Sequence, residues 1–465
     1  MADPLSAPNV DRRRPIAVVG ALNLSYEGLP ADLRETRTAD AADVTRRLQD
    51  RLGRPLVDLG LVTDLDGAAT ADQAITALDP AAIVVLALGA IRADVGAAIV
   101  ASSTAPVLVW AVTDDAPFPD DHRPIDSVVG AGPVGAYAMT NALVRLGRSV
   151  RCEVGAEPAP GTIAWVRAAA FAADVARARF GLVGGRWPGM LDVHLDATRF
   201  TSDFGATWED VSLSASTPET SFDELGVPVG WSRPDIDPGL IAASCRLGRA
   251  LRTAAVGFDA LAVRCHSDAV GSNPAFGVVG CLGVSLLSSS GIPTTCTGDM
   301  VTAVAMYVAS SVAGAAQYVE VDGPDVSRAA LLVSNGGEID QRSARADSIG
   351  LVEQQFFSGD AGRGLALRGL LETGPATIVA FTETRSGWRL VTMEGEILDD
   401  HLPGFPVTHA FFRSALDPAE AFRRLGDAGA PHHVAIAPGH IGDVAAALAT
   451  MIPLEHVAIG DEDRR

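Results

Sequence analysis

Short apolar runs alternate with longer amphipathic stretches from Pro15 onwards, and this alternation constrains the fold more than any other feature of the sequence. The apolar runs are continuous in Val, Ile and Leu, as expected of strands that are buried on both faces. The stretches between them are long enough for the helical crossovers that join parallel strands. The first runs are PIAVVG, PLVDLGLV, AAIVVLALG and PVLVWAV. The pattern therefore predicts a doubly wound α/β domain over residues 1–152.

A second series of strand-like and helix-like segments begins at Arg179. After Gln317 the apolar segments become shorter and more closely spaced, which is typical of antiparallel strands joined by turns. A chain of 465 residues is also too long to pack around one hydrophobic core, since domains usually hold roughly 100 to 200 residues. We therefore expect a second doubly wound α/β domain over residues 153–318 and a C-terminal antiparallel β domain over residues 319–465.

The charge of the chain restricts its partners and its chemistry. A formal net charge of −21 would repel a phosphate backbone, so nucleic acid is not an expected ligand, and anionic membranes are disfavoured. The sequence contains no lysine, and Arg alone supplies its permanently positive side chains. Schiff-base nucleophiles, pyridoxal-phosphate anchors and phosphate-loop lysines are therefore excluded.

Cysteine usage and the N-terminal sequence indicate the compartment. The five cysteines include no CxxC pair, which disfavours a disulfide framework or a zinc finger and fits a reducing cytosol. The segment 1–14 is polar and rich in Arg, and the apolar runs are much shorter than the ~20 residues of a membrane span. We expect a cytoplasmic protein without a membrane anchor.

Three short segments carry side chains suited to chemistry. They are 265–268 (CHSD), 294–299 (TTCTGD) and 431–433 (PHH), and Glu320 lies between the last two. Imidazole and carboxylate groups at strand ends can assemble a site for Mn, Fe or Zn, although a surface turn would have the same composition. Because neighbouring residues of a strand point to opposite sides, at most one of His432 and His433 is expected to face such a site.

Two longer segments resemble the L-fucose and L-arabinose isomerase family. GIPTTCTGDMVTAVAMYVASSVAGAAQYVEV is similar to the family's metal-site segment, with a turn, a helix rich in small residues and a strand that carries an acid. PHHVAIAPGHIGDVAAALATMI is similar to its late histidine strand and the helix that follows. The likeness extends over roughly residues 150–465. It implies an L-fucose isomerase-like fold and an aldose–ketose isomerase that acts on a sugar or sugar-like polyol.

The resemblance also implies a set of site residues. The family's first metal-binding glutamate falls on Thr297, its second acid on Glu320 and its histidine ligand on His433, while Asp299 matches the acid two places after the missing glutamate. Glu320 and His433 are thus the implied metal ligands, and Mn²⁺ is the implied cation. The position of a histidine that the arabinose isomerases use falls near Asn335 in this chain. In this respect the sequence resembles the L-fucose isomerases more than the L-arabinose isomerases.

Thr297 is the departure that matters chemically. In these isomerases two carboxylates hold the metal ion and shuttle a proton between C1 and C2 of the sugar. A threonine hydroxyl is a poor ligand and no base at neutral pH, so proton transfer requires another group, such as Asp299, Cys296 or Asp268. The candidate catalytic residues are therefore Asp299, Glu320, Cys296 and Thr297.

Other residues are candidates for substrate contacts. Trp187 could stack on a sugar ring, and Asp268 and Asn335 could bind its hydroxyl groups. The resemblance further implies a homotrimer or homohexamer. Three functions remain open: an isomerase with altered metal ligation, a metal-independent enzyme that uses Cys, Asp or His chemistry on the same scaffold, and a non-catalytic sugar-binding relative.

Overall fold

The structure of the chain is a computed structural model that describes residues 13–114, 116–214, 222, 225, 236–265, 276–354 and 363–460. Its residues group into two compact units, one of Arg12–Asp174 and one that includes Val175–Arg465. Each unit has its own sheet architecture. The predicted residue Asp268 lies outside the described residues.

The first unit contains a parallel sheet in the order β2-β1-β3-β4-β5, the flavodoxin-like order of doubly wound sheets. Its strands are β1 (Ile16–Ala21), β2 (Leu56–Val62), β3 (Ala82–Ala87), β4 (Val107–Val112) and β5 (Val150–Gly155). Its helices are α1 (Leu33–Leu52), α2 (Leu65–Leu78), α3 (Ala93–Ile99), α4 (Pro124–Val129), α5 (Gly132–Arg145) and α6 (Pro160–Val175). β1 and β3 are buried along their whole length, as their unbroken apolar sequences predict. The predicted parallel α/β architecture of this part is confirmed.

The first compact unit ends at Asp174, and the predicted domain division between residues 152 and 153 stays a prediction. That division falls inside β5, which pairs with β4 over Val150–Gly155. Arg54 forms a two-pronged ion pair with Asp174, at 2.8 and 2.9 Å, and so holds the end of α6 against the start of β2. The helix after β5 therefore belongs to the first unit, which ends at Asp174.

The second unit begins with another parallel sheet, in the order β7-β6-β8-β9. Its strands are β6 (Arg179–Val183), β7 (Thr207–Val211), β8 (Ala260–Val263) and β9 (Thr294–Thr295). The helices in this stretch are α7 (Ala197–Phe204), α8 (Pro238–Ala254), α9 (Cys281–Ser289) and α10 (Met300–Ala313), with a 3-10 turn at Leu191–Val193. Because the strands are parallel, the loops after β6, β8 and β9 emerge at the same edge of the sheet.

The remaining strands form a mixed sheet in the order β14-β17-β10-β11-β16-β15-β18. They are β10 (Gln317–Asp325), β11 (Ala330–Asn335), β14 (Gly374–Glu383), β15 (Trp388–Ile397), β16 (Thr408–Ser414), β17 (His433–Pro438) and β18 (Leu454–Ile459). β14 also pairs with β15, so six of these strands form a closed ring. Here the prediction of an antiparallel domain is correct for those six strands and wrong for β18, which joins β15 in parallel.

The other elements of this part are short. β12 (Gly350–Glu353) and β13 (Leu365–Arg368) form a separate antiparallel pair. The helices are α11 (Pro418–Asp427) and α12 (Gly442–Leu448), and 3-10 turns lie at Gln341–Ser343 and Ala346–Ser348. Among the described residues, no helix has the length and apolar character needed to cross a membrane.

A single hydrophobic cluster underlies both sheets of the second unit. It includes Val183 and Leu261 of the parallel sheet together with Val319, Ile378 and Val391 of the mixed sheet. Because these side chains share one core, the two parts lie in one compact unit. The predicted division between residues 318 and 319 falls inside β10, and a finer division of this unit stays a prediction.

Candidate functional site

A tight turn between β9 and α10 carries the residues that the sequence singled out. Thr297 has a φ of 58°, a left-handed conformation that is rare for a β-branched residue, and Gly298 follows with a φ of 67°. The carbonyl of Cys296 accepts hydrogen bonds from Thr297 Oγ1 at 2.7 Å and from the amide of Asp299 at 3.0 Å. These bonds hold a strained turn, a feature that is common at functional sites.

Asp299 begins α10 and is completely buried. Its Oδ1 accepts a hydrogen bond from the amide of Thr302 at 2.8 Å and so caps the helix. Its Oδ2 lies 2.9 Å from Nδ1 of His433 and accepts a bond from the Tyr318 hydroxyl at 3.2 Å. With these three partners the hydrogen-bonding capacity of the buried Asp299 carboxylate is satisfied, and the carboxylate can hold the His433 ring in one orientation.

His433 connects this buried carboxylate to an exposed one. It lies opposite Glu320 where β17 pairs with β10, and its Nε2 is 3.4 Å from Oε1 of Glu320. The His433 side chain is 2% exposed, whereas that of Glu320 is 55% exposed. The three residues thus form a row, Asp299–His433–Glu320, that leads from the interior to the surface.

The charge state of His433 follows from its two partners. Burial alone would lower the pKa of His433, but hydrogen bonds to Asp299 and Glu320, together with their charges, outweigh burial and raise the pKa to about 9. His433 is therefore an imidazolium at neutral pH, with one N–H directed to each carboxylate.

The neighbouring histidine makes a different contact. His432 precedes the first residue of β17, and its ring lies near that of His433, with centroids 3.8 Å apart and planes inclined by 36°. His432 is exposed and contacts the carboxylate of Asp192, while His433 is buried and contacts Asp299 and Glu320. One of the two histidines therefore joins the row, and the prediction that at most one of them faces a ligand stays a prediction.

Buried polar groups that sequence reasoning did not single out lie around the turn. Tyr318 is buried, and its hydroxyl is 3.4 Å from Thr297 Oγ1 and 3.2 Å from Asp299. Burial, reinforced by the negative charge of Asp299, raises the pKa of Tyr318 well above its usual value. The side chain at the position of the expected glutamate, Thr297, is thus part of a hydroxyl network.

Glu338 is a second buried acid near the row, and it is 4% exposed. Burial raises the pKa of Glu338 to about 8, so at pH 7 it is mostly a neutral acid. Asn335 holds it in place, since Asn335 Oδ1 accepts the amides of Gly337 at 2.9 Å and Glu338 at 2.8 Å, and Nδ2 lies 3.3 Å from Glu338 Oε1. The amide of Asn335 therefore organises this turn, and its predicted role in substrate binding stays a prediction.

The loop after β6 lies against the turn. A Cβ on Gly298 would come within 2.5 Å of the carbonyl oxygen of Gly185, so only glycine fits there. In the same loop the predicted sugar-stacking residue Trp187 has the guanidinium of Arg264 above its ring, at 5.4 Å. One face of the indole is therefore occupied by Arg264, and stacking on a sugar stays a prediction for the other.

His194 is a further residue that the sequence did not indicate. Its Nε2 is buried and has no hydrogen-bond partner among the described residues. Burial and the positive charge of Arg186 lower the pKa of His194, against the opposing influence of Asp299 and Asp192. His194 is therefore a neutral imidazole near Asp299 at neutral pH. An isolated histidine in a loop gives no periodic or spacing signal by which it could have been recognised.

Cys296, predicted as a nucleophile, contacts another thiol. Its Sγ lies 2.7 Å from Sγ of Cys265. The hydrogen bond from Cys265 lowers the pKa of Cys296, but burial and the charge of Glu338 outweigh it and leave the pKa raised. A thiol that stays protonated at neutral pH is a weak nucleophile, which disfavours covalent catalysis by Cys296.

The predicted metal ligands, Glu320 and His433, contact each other through Oε1 and Nε2, which are 3.4 Å apart. Asp299 and Glu320 lie at opposite nitrogens of the His433 ring, so these three side chains cannot converge on one ion. No group of three His, Cys, Asp or Glu side chains within the described ranges could hold a metal ion. As arranged, these residues do not fit Mn²⁺ by themselves.

The structure thus brings together Thr297, Asp299, Glu320 and His433, which come from three separate segments of the sequence. Cys296 lies in the same turn, Asn335 holds the neighbouring Glu338, and Trp187 lies in the adjoining loop. No known protein-family model matches the chain, and no curated protein is significantly similar to it.

Proposed function

We propose that this chain is an enzyme that moves a proton on a small, sugar-like hydroxycarbonyl compound, with an architecture like that of the L-fucose isomerases. The observation that carries the proposal is the row Asp299–His433–Glu320, in which a buried carboxylate and an imidazolium support an exposed carboxylate. A base that is held in place by an imidazole and a second carboxylate is one arrangement that supports general acid–base catalysis. The same proposal places the protein in the cytoplasm as a homotrimer or homohexamer.

Glu320 is the group that meets the substrate in this mechanism. More than half of its side chain is exposed, so a substrate can approach it, and an ionised carboxylate can take a proton from a carbon next to a carbonyl group. Returning that proton to the neighbouring carbon, while the hydroxyl proton of O2 moves to O1, converts an aldose to a ketose through an enediol. A single base on one face of the substrate suffices for both transfers at carbon.

His433 and Asp299 act as positioning residues. The imidazolium lies beside Glu320, where its charge stabilises the carboxylate and the negative charge that develops on an enediolate. Asp299 fixes the ring through Nδ1, and its own position is fixed by the start of α10. The framework is thus preorganised and needs little rearrangement during proton transfer.

The test is solvent exchange at carbon. The purified protein is incubated in D₂O with aldoses that include L-fucose, L-arabinose and D-arabinose and with the corresponding ketoses, with and without Mn²⁺, and deuterium at C1 and C2 is measured by NMR. We expect exchange with at least one sugar, and we expect Glu320→Gln to reduce it by about 10² to 10⁴-fold. Glu396→Gln is the matched control, since Glu396 is a strand glutamate with a side chain that is 50% exposed.

Two outcomes would contradict the proposal. The first is the absence of exchange with every sugar under all conditions, and the second is exchange that Glu320→Gln leaves unchanged. Exchange that requires Mn²⁺ would keep the acid–base assignment of Glu320 and would point to a metal site completed by residues outside the described ranges, such as Asp268.

A further inference from the structure

Three thiols lie in contact beneath the turn that carries Asp299. Cys265 follows β8, Cys296 follows β9, and their sulfur atoms are 2.7 Å apart although 31 residues separate them in the sequence. The thiol of Cys281, the first residue of α9, is hydrogen-bonded to that of Cys265. β8 and β9 are parallel neighbours, so their C-terminal ends bring Cys265 and Cys296 together.

Access to this cluster is unequal. Cys265 and Cys281 are buried, at 1% and 4% exposure, whereas Cys296 is partly exposed. We expect a small reagent to reach Cys296 first, and Cys265 is the thiol in direct contact with it. Disulfide sulfurs are about 2.05 Å apart, so a small adjustment of side chains is enough to join the two.

We propose that Cys296 and Cys265 are an oxidative modification site at which hydrogen peroxide converts the two thiols into a disulfide. The sulfur of Cys296 attacks the O–O bond, which breaks, and the products are a sulfenic acid on Cys296 and one water. The sulfur of Cys265 then displaces the hydroxyl from Cys296, the S–S bond forms, and a second water leaves. In total, two thiols lose two electrons and two protons to one hydrogen peroxide.

The cross-link acts on the turn of the candidate site. The carbonyl of Cys296 holds Thr297 and Asp299, so fixing Cys296 to the end of β8 stabilises the turn in its present geometry. We expect the disulfide to raise the melting temperature by a few degrees, because it also restricts the unfolded chain. The raised pKa of Cys296 makes oxidation slow near pH 7 and faster as the pH rises.

The experiment uses the full chain and hydrogen peroxide and does not depend on any enzymatic activity. Titration under denaturing conditions should show five thiols before oxidation and three afterwards, with an intact mass lower by about two hydrogens. Trypsin leaves Cys265, Cys281 and Cys296 in one peptide, because Arg264 and Arg328 are its nearest cleavage sites. Cleavage before aspartate, followed by chymotrypsin, separates the three and identifies the linked pair.

Variants distinguish this pair from incidental oxidation. Cys296→Ser should abolish the cross-link. Cys281→Ser should retain it, because Cys281 is not one of the two linked residues. Cys152→Ser should also retain it, because Cys152 lies in the other compact unit. The melting temperature of each reduced variant shows that it is folded before oxidation. The proposal is overturned if the wild-type chain gains oxygen atoms without losing two hydrogens, if the linked pair is Cys265–Cys281, or if Cys296→Ser still forms the cross-link.

Discussion

His433 Nδ1 and Asp299 Oδ2 are 2.9 Å apart, although 134 residues separate the two in the sequence. Asp299 also caps α10, and His433 is the first residue of β17. One carboxylate thus fixes the start of a helix and the charge of a buried imidazole. Four predictions concern this region.

The first prediction is that Asp299→Asn lowers the pKa of His433 by about two units or more, because the nearest opposite charge is lost while burial remains. Asparagine caps helices as well as aspartate, so α10 should persist. Titration of the imidazole signals by NMR measures the pKa, with His433→Gln used to assign the resonance. Asp196→Asn, at the cap of α7, is the control and should leave that pKa unchanged.

The second prediction is that the folded protein loses stability between about pH 6.5 and pH 9. The folded pKa of His433, about 9, is above its value of about 6.5 in the unfolded chain, so the stabilising contribution is complete below pH 6.5 and is lost as the pH rises through 9. Its size is roughly 3 kcal/mol at most. Urea unfolding at several pH values measures it, and His433→Gln should make the profile less steep in this window, where the contribution of Glu338 remains up to about pH 8. An unchanged profile would contradict the assignment.

The third prediction concerns the buried acid Glu338. Its folded pKa, about 8, exceeds the ordinary value of 4.5, so the folded state keeps a proton that the unfolded state releases, and stability falls as the pH rises from 4.5 to 8. Glu338→Gln removes this cost without a large change of shape. We expect the variant to be more stable than the wild type at pH 8 and similar at pH 4.5, as measured by thermal unfolding. Glu372→Gln, at an exposed position, should have little effect at either pH.

The fourth prediction is that Gly298→Ala destabilises the protein by about 2 to 4 kcal/mol, because the new Cβ would meet the carbonyl of Gly185 at 2.5 Å. The matched control is Gly314→Ala at the end of α10. Gly314 also has a positive φ, 86°, but no atom lies within 4 Å of its Cβ position, so about 1 kcal/mol is expected. Equal losses in the two variants would mean that the contact with Gly185 has no energetic weight.

Part of the site could be predicted because its residues lie in recognisable segments. Asp299, Glu320 and His433 each follow or occupy an apolar run, and they do meet in the structure. Tyr318 and Glu338 could not be identified in this way, since a tyrosine within an apolar strand and a glutamate after a glycine pair have no distinguishing pattern. Their importance comes from burial, which the sequence does not reveal.

The sequence by itself determined the alternation of strands and helices, the buried character of β1 and β3, and the short-strand pattern after Gln317, because these depend on local apolar periodicity. Only the tertiary structure decided that β14 closes the ring with β15, that β18 joins in parallel, and that both nitrogens of His433 contact carboxylates. Pairing between distant strands and the burial of single polar groups depend on how the whole core packs. For this reason the role of Thr297 is visible only in the structure, where its hydroxyl contacts Tyr318 and its left-handed backbone forms the turn that holds Asp299.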